Sequence, residues 1–153
     1  MTIISRPLAP THHSLPEIFL QVPRLTLAKR RWRGLADDGR EFGFELDAPL
    51  SPGIAIFQND LARYTIAQIP EPVLTVSLDL APSAAAGIGW AIGNLHLELS
   101  AEPTQLVAAD EPAVRQLLER LKIPFLATNA VFRPGRFARG PQPSSELGPS
   151  HRH

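Results

Sequence analysis

The sequence predicts an α+β protein with three parts: a small all-β domain, a ferredoxin-like βαββαβ domain and a disordered C-terminal tail. Period-two alternation and turn residues dominate the chain up to about residue 70. Helical patterns appear only after the proline-stiffened segment 69–73, and beyond residue 133 Gly, Pro, Ser and Arg replace apolar residues. We therefore expect domains at 1–70 and 71–133, followed by a flexible tail at 134–153.

The first domain is predicted to contain four to six short antiparallel strands, arranged as a small barrel or sandwich. Its strongest signal is Asp37-Asp38-Gly39, which lies between two strand patterns and is typical of a tight hairpin turn. Residues 1–16, rich in Pro, His and Ser, are expected to be partly ordered. The strand patterns cover residues 17–22, 25–33, 41–46, 54–58 and 64–69.

The second domain is predicted from helix signals set between strand patterns. Pro82 and Gly93-Asn94 suit the first turn and the end of a helix over 82–93, although two internal glycines weaken it. An apolar stripe predicts a helix over 112–122, with Asp110 or Glu111 as its cap. The remaining strands are predicted at 73–78, 95–100, 105–109 and within 124–132, which gives the order βαββαβ.

Bulk composition excludes several classes of function. The chain has fifteen basic and fifteen acidic residues and no net charge, which argues against broad binding to nucleic acid or to an anionic membrane. No apolar run is long enough to span a bilayer, and the first residues do not resemble a signal peptide. The absence of cysteine excludes disulfides and fits a cytoplasmic protein.

Catalytic motifs are missing from the sequence. It contains no Gly-x-Ser-x-Gly, no phosphate-binding glycine loop and no His-Glu-x-x-His, and the adjacent Asp37 and Asp38 fit a turn better than an acid–base pair. We therefore predict that the protein is not an enzyme. The basic run at 29–33 includes Trp32 and could bind single-stranded nucleic acid or an acidic partner protein. A neutral chain favours a charged edge strand instead.

Histidine is the residue that indicates metal chemistry. The chain has five histidines and no cysteine, and imidazole suits Ni, Cu and Zn. In the predicted strand 95–100, His96 and Glu98 would share one face, and a two-fold axis would bring two copies of His96 together. His151 and His153 in the tail could reach the same ion. The alternative is that these are ordinary surface histidines, which is our expectation for His12 and His13.

Several short blocks, in order, are similar to those of one known family. The chain resembles the urease accessory nickel chaperones, the UreE family, from about Leu25 to about Gly140. The matching blocks are Arg33-Gly34 with Asp37-Asp38-Gly39-Arg40-Glu41-Phe42-Gly43 and Leu46, Pro70-Glu71-Pro72-Val73-Leu74, Gly93-Asn94-Leu95-His96, and Phe132-Arg133-Pro134-Gly135.

The resemblance implies a cytoplasmic homodimer that binds Ni(II), and in vitro Zn(II) or Cu(II). Such proteins deliver nickel to apo-urease together with other accessory proteins, including the accessory GTPase. The β domain would contact proteins, and the ferredoxin-like domain would bind metal and dimerise. The family's central metal histidine corresponds to His96, and its tail histidines correspond loosely to His151 and His153.

Two departures from the family pattern change the expected site. Leu95 replaces the usual arginine beside the histidine, and Glu111-Pro112-Ala113-Val114 replaces a block that often carries an auxiliary histidine. We therefore expect fewer sites, with the His96 pair as the main one. The main alternative is a protein-interaction module in which metal binding is incidental, and a weaker one is a single-strand nucleic-acid binder.

Overall fold

The computed structural model describes residues 1–135, 137–138 and 146–147, and it confirms a mixed α+β protein. Two compact units divide the chain, Met1–Ile69 and Pro70–His153. The elements of the first unit are β1 (Thr2–Ile4), β2 (Glu17–Val22), α1 (Arg24–Leu27), β3 (Arg31–Leu35), β4 (Glu41–Glu45), β5 (Ala55–Gln58) and β6 (Arg63–Gln68). Those of the second are β7 (Glu71–Ser77), α2 (Pro82–Asn94), β8 (Leu99–Ala101), β9 (Gln105–Ala109), α3 (Pro112–Arg120), β10 (Leu126–Ala130), β11 (Phe137–Ala138) and β12 (Glu146–Leu147).

The first unit contains two three-stranded sheets, with strand orders β1-β4-β3 and β2-β6-β5. β1 runs parallel to β4, and β2 runs parallel to β6. The prediction of purely antiparallel strands is therefore wrong for these two pairs. Local turn signals identify only hairpin partners, whereas parallel partners come from segments distant in the sequence.

The hairpin predicted around Asp37-Asp38-Gly39 is confirmed as β3 and β4. Gly39 has φ +86°, a left-handed conformation that glycine adopts without steric cost. The Asp38 carboxylate accepts a hydrogen bond from the Tyr64 hydroxyl at 2.7 Å and one from the Arg40 backbone N–H at 3.0 Å. These bonds, the Tyr64 bond first, lower the pKa of Asp38, so this carboxylate serves the turn.

The strand predicted over 25–33 is wrong at its beginning. Arg24–Leu27 forms a single helical turn because the Pro23 carbonyl accepts the N–H groups of Thr26 and Leu27, and this turn buries the Leu27 side chain. The strand itself starts at Arg31. Local backbone hydrogen bonding after a proline has overridden the β preference of the short apolar run.

Aromatic rings fill the core of the first unit. Trp32 stacks on Phe44 with a centroid separation of 3.7 Å, and the fully buried Phe42 lies 5.2 Å from Tyr64 and 5.7 Å from Phe57. Their contacts link the two sheets of this unit. Each such ring buries about 150–250 Å² of surface, so these rings supply a large part of the stability of this core.

The second unit contains the element order βαββαβ followed by two very short strands. Its sheet has the strand order β10-β7-β9-β8-β11-β12, and β7 pairs antiparallel with both β9 and β10. Phe137 in β11 pairs with Ala101 in β8. The predicted tail at 134–153 contains these two short strands, in which Phe137–Ala138 pairs with Glu146–Leu147, and the flexibility of the tail stays a prediction.

Both helices of the second unit are confirmed, and they pack on one face of the sheet. Ile88 and Ile92 of α2 and Leu118 of α3 are buried in one cluster with Leu74 and Val76 of β7. No described helix is long and apolar enough to cross a membrane. Packing against the sheet compensates for the glycines in α2, which would make the isolated helix unstable.

The predicted side-chain cap of α3 is wrong. Glu111 occupies the N-cap position without a side-chain capping bond, and Asp110 instead accepts two hydrogen bonds from the Arg115 guanidinium, at 2.6 and 2.7 Å. This bidentate pair fixes the first turn of α3 to the end of β9. The Arg115 bonds, the largest cause, and its charge lower the pKa of Asp110 below the ordinary value of 3.8.

A lowered pKa predicts a defined loss of stability in acid. The folded protein binds the Asp110 proton less tightly than the unfolded chain, so this pair stabilises the fold above about pH 3.8 and stops doing so as pH falls through the lower, folded-state pKa. When the pH is lowered from about 6 to about 3, we expect the free energy of unfolding to fall less in Arg115→Gln than in wild type. Urea midpoints measured at both pH values check this, and equal losses in the two proteins would contradict it.

Candidate metal site at the end of helix α2

His96 lies in a turn, and the prediction that it belongs to a strand over 95–100 is wrong. Helix α2 ends at Asn94, Leu95 and His96 form the turn that follows, and β8 begins only at Leu99. Strand alternation therefore cannot place His96 and Glu98 on one face. The helix continues through Gly93-Asn94 for one residue more than the sequence pattern predicts, and the turn after it delays the start of β8 to Leu99.

The backbone of His96 is left-handed, with φ +56°. Its N–H donates to the Gly93 carbonyl at 2.9 Å, and the Leu95 N–H donates to Ile92 at 3.1 Å, so these bonds close the last turn of α2. Glycine is the usual residue at such a helix end, and a side chain there costs about 1 kcal/mol or more. A non-glycine residue in this conformation is often functional, and here it is an exposed histidine.

The electrostatics of this position favour a cation. Free carbonyl groups give the C-terminal end of a helix a partial negative charge, which stabilises positive charge nearby. The last turn of α2 contains no basic side chain that would neutralise this partial charge. A metal ion bound by the His96 imidazole would therefore sit beside a favourable dipole.

A cleft of about 490 Å³ lies beside the end of α2, and it is open to solvent. Of its described lining residues, only Glu98 is ionisable. Glu98 is exposed, so a carboxylate oxygen is present near the turn that holds His96. The other lining residues are Ala86, Gly89, Trp90, Gly93, Leu97, Leu99, Pro134 and Gly135.

One copy of the chain does not assemble a complete ligand set in the part that the structure describes. No group of three or more His, Asp or Glu side chains in that part could hold a metal ion. His151 and His153, the predicted tail ligands, lie outside the described residues. His12 and His13 are exposed in the first unit, where the His13 imidazole lies 3.9 Å from the Glu17 carboxylate.

An apolar groove occupies the outward side of α2. It has a volume of about 530 Å³ and lies between α2 and the segment that follows α3. Trp90 stands at its rim with 72% of its surface exposed, and Leu80 and Leu121 are also exposed there. A Cβ added at Gly87 would meet nothing within 4 Å, so the helix surface is open to close approach.

Sequence reasoning missed Trp90 as a functional candidate. The signal was a single large aromatic residue in an Ala- and Gly-rich helix that has no bulky partner one turn away on the same side. Such a residue has little to pack against within its own helix. Together with Leu80 and Leu121, Trp90 forms an exposed apolar patch along the groove, and such patches are typical of contact surfaces.

The fold and the site define a two-unit α+β protein that presents one exposed histidine at a helix end. Residues 71–153 match the sequence profile of the family described as "UreE urease accessory protein, C-terminal domain". The match covers more than half of the chain, which belongs to this family of urease accessory proteins. The chain is also 29% identical over 114 residues to the urease accessory protein UreE of Bacillus sp. (strain TB-90), covering 71% of this chain and 76% of that relative. The predicted resemblance to UreE is thus confirmed.

Proposed function

We propose that this protein is a nickel metallochaperone that binds Ni(II) as cargo and delivers it to apo-urease together with the other accessory proteins, including the accessory GTPase. The observation that supports it most is the exposed His96 imidazole, held in a left-handed turn at the negative end of α2. Family membership supplies the urease context. The proposal places the chain in the cytoplasm as a carrier without enzymatic activity.

An incomplete ligand set suits delivery better than storage. A single imidazole holds a divalent ion weakly, and positions filled by water or by mobile ligands exchange readily. Two copies of His96 across a two-fold axis would supply two imidazoles, and His151 and His153 would complete or release the shell. Zn(II) and Cu(II) would bind the same donors in vitro, because imidazole accepts all three ions.

A homodimer follows from the same proposal. The apolar groove and the exposed Trp90 lie on α2, the helix that ends at His96. If α2 meets its copy with the two-fold axis close to its C-terminal end, the interface buries part of this apolar surface and the two His96 residues lie near the axis. The βαββαβ order and the β10-β7-β9-β8 arrangement support the ferredoxin-like architecture that the resemblance implies for this dimerising domain.

We expect calorimetry and light scattering on wild type to give about one nickel per two chains and a dimer mass. Trp90→Ser should shift the mass towards the monomer and weaken nickel binding, while the circular dichroism spectrum stays unchanged because the side chain is exposed. Leu25→Ser, which replaces another exposed apolar residue in the first unit, is the matched control. A monomeric wild type, or no binding at micromolar nickel, would reject the proposal.

The alternative function is a protein-interaction module in which metal binding is incidental. It is favoured by the outer surface of the β1-β4-β3 sheet, where Met1, Ile3 and Leu35 are exposed beside Arg31 and Arg33. Pull-downs with purified urease and accessory proteins, with and without chelator, separate the two functions. Complexes that form equally well with chelator and contain no nickel would favour the interaction module.

A further inference from the structure

The outer edge of β10 is an unprotected sheet edge. β10 pairs with β7 on one side, and no described strand pairs with its other side. Its register with β7 runs from Leu126 to Ala130 without a bulge, so the strand is regular over its whole length. Leu126 is 73% exposed, and Ala127, Thr128 and Asn129 are exposed as well.

Natural sheet edges normally carry features that prevent pairing with another chain, such as charged side chains, proline or a bulge. The edge strand β3 of the first unit follows this rule, because Arg31 and Arg33 are exposed on it. The sequence of β10, Leu-Ala-Thr-Asn-Ala, contains no charge and no proline. Within residues 1–135, 137–138 and 146–147, this edge is therefore open to strand addition.

We propose that β10 pairs antiparallel with β10 of a second copy of this chain. A two-fold axis at Thr128 would place Thr128 opposite Thr128, Leu126 opposite Ala130 and Ala127 opposite Asn129. Threonine pairs favour such a ladder, and no like charges meet when a neutral strand is paired with itself. Outward-facing N–H and C=O groups of alternate residues then gain partners, and the two sheets become continuous.

The interface is distinct from the groove on α2 and does not depend on nickel. Five residues per strand form few hydrogen bonds, so the pairing alone is expected to be weak and dependent on concentration. A dimer joined through α2 would present two β10 edges, so pairing of these edges joins dimers into tetramers or longer assemblies.

Charged substitutions at Thr128 test this pairing in the full-length chain. Association is measured by analytical ultracentrifugation, with chelator present, over about a hundredfold range of protein concentration. We expect wild type to form species larger than the α2 dimer as concentration rises. Thr128→Lys alone and Thr128→Glu alone should each weaken this association by about tenfold or more, because like charges then lie opposite one another. An equimolar mixture of the two variants should recover the association, because Lys then lies opposite Glu.

Gln116→Lys, on the exposed side of α3, is the control for an added charge and should associate as wild type does. The proposal is overturned if wild type never exceeds the α2 dimer, if Thr128→Lys associates like wild type, or if the mixture does not recover. Weakening of a purified urease–chaperone complex by Thr128→Lys, with no effect on self-association, would assign the edge to a partner strand and also overturn it. This experiment does not measure metal binding, so its outcome can fail or succeed independently of the nickel titration that tests the proposed function.

Discussion

Replacement of His96 should reduce nickel affinity by at least about 100-fold, because loss of groups that merely support a ligand already costs 10–100-fold. His96 is the only histidine among the described residues of the second unit, and no group of three ligands in the described part of the chain compensates for its loss. Isothermal titration with Ni(II) measures the effect. The stoichiometry of about one ion per two chains should disappear together with the affinity.

Two substitutions are needed to distinguish the loss of the imidazole ligand from a change in the left-handed backbone conformation of residue 96. His96→Ala removes the ligand but leaves a left-handed residue that alanine tolerates poorly. His96→Asn removes the imidazole and keeps a side chain that adopts this conformation more readily, so the two variants should lose nickel equally while Asn retains more stability.

Two further variants locate the remaining ligands. His12→Ala, at an exposed position in the first unit, is the control and should bind nickel as wild type does. His151→Ala combined with His153→Ala should lower the affinity without abolishing it, since the proposal gives the tail a supporting role. Nickel binding unchanged in both His96 variants would rule out His96 as the central ligand.

Phe42→Ala should destabilise the first unit by about 3–5 kcal/mol, the usual result of removing a fully buried aromatic ring. Phe42 is 0% exposed and lies against Phe57 and Tyr64, with the Arg40 guanidinium 5.6 Å from its ring. Phe42 belongs to the β1-β4-β3 sheet and both of these rings belong to the β2-β6-β5 sheet, so the cavity would lie between the sheets and could not close without movement of a strand. Since a whole domain is stable by only about 5–15 kcal/mol, the variant should have a much lower urea midpoint.

Leu61→Ala is the matched control, because Leu61 is 79% exposed and its loss should change stability by less than about 0.5 kcal/mol. Urea denaturation followed by circular dichroism and tryptophan fluorescence measures both variants, and Trp32 reports on the first unit directly. A midpoint for Phe42→Ala within error of the Leu61→Ala value would mean that the ring contributes little to this core.

Local sequence patterns were sufficient to predict several elements of the fold. The Asp37-Asp38-Gly39 turn requires a left-handed glycine, and the structure has it. The Val114, Leu117 and Leu118 stripe predicts a helix with one buried face, and these three side chains are buried. In both cases the determining interactions lie within a few residues of one another in the sequence, so the sequence pattern contains them.

The sequence by itself determined the α+β class, the β3–β4 hairpin, the two longer helices and the choice of His96 as the residue of interest. Tertiary structure decided the parallel pairing of β1 with β4, the open groove beside Trp90 and the outer edge of β10, where no described strand pairs. It also moved His96 from a strand to the left-handed end of α2. The reason is physical: turns and amphipathic stripes depend on neighbouring residues, whereas strand partners, exposed surfaces and the exact end of a helix depend on what the rest of the chain packs against them.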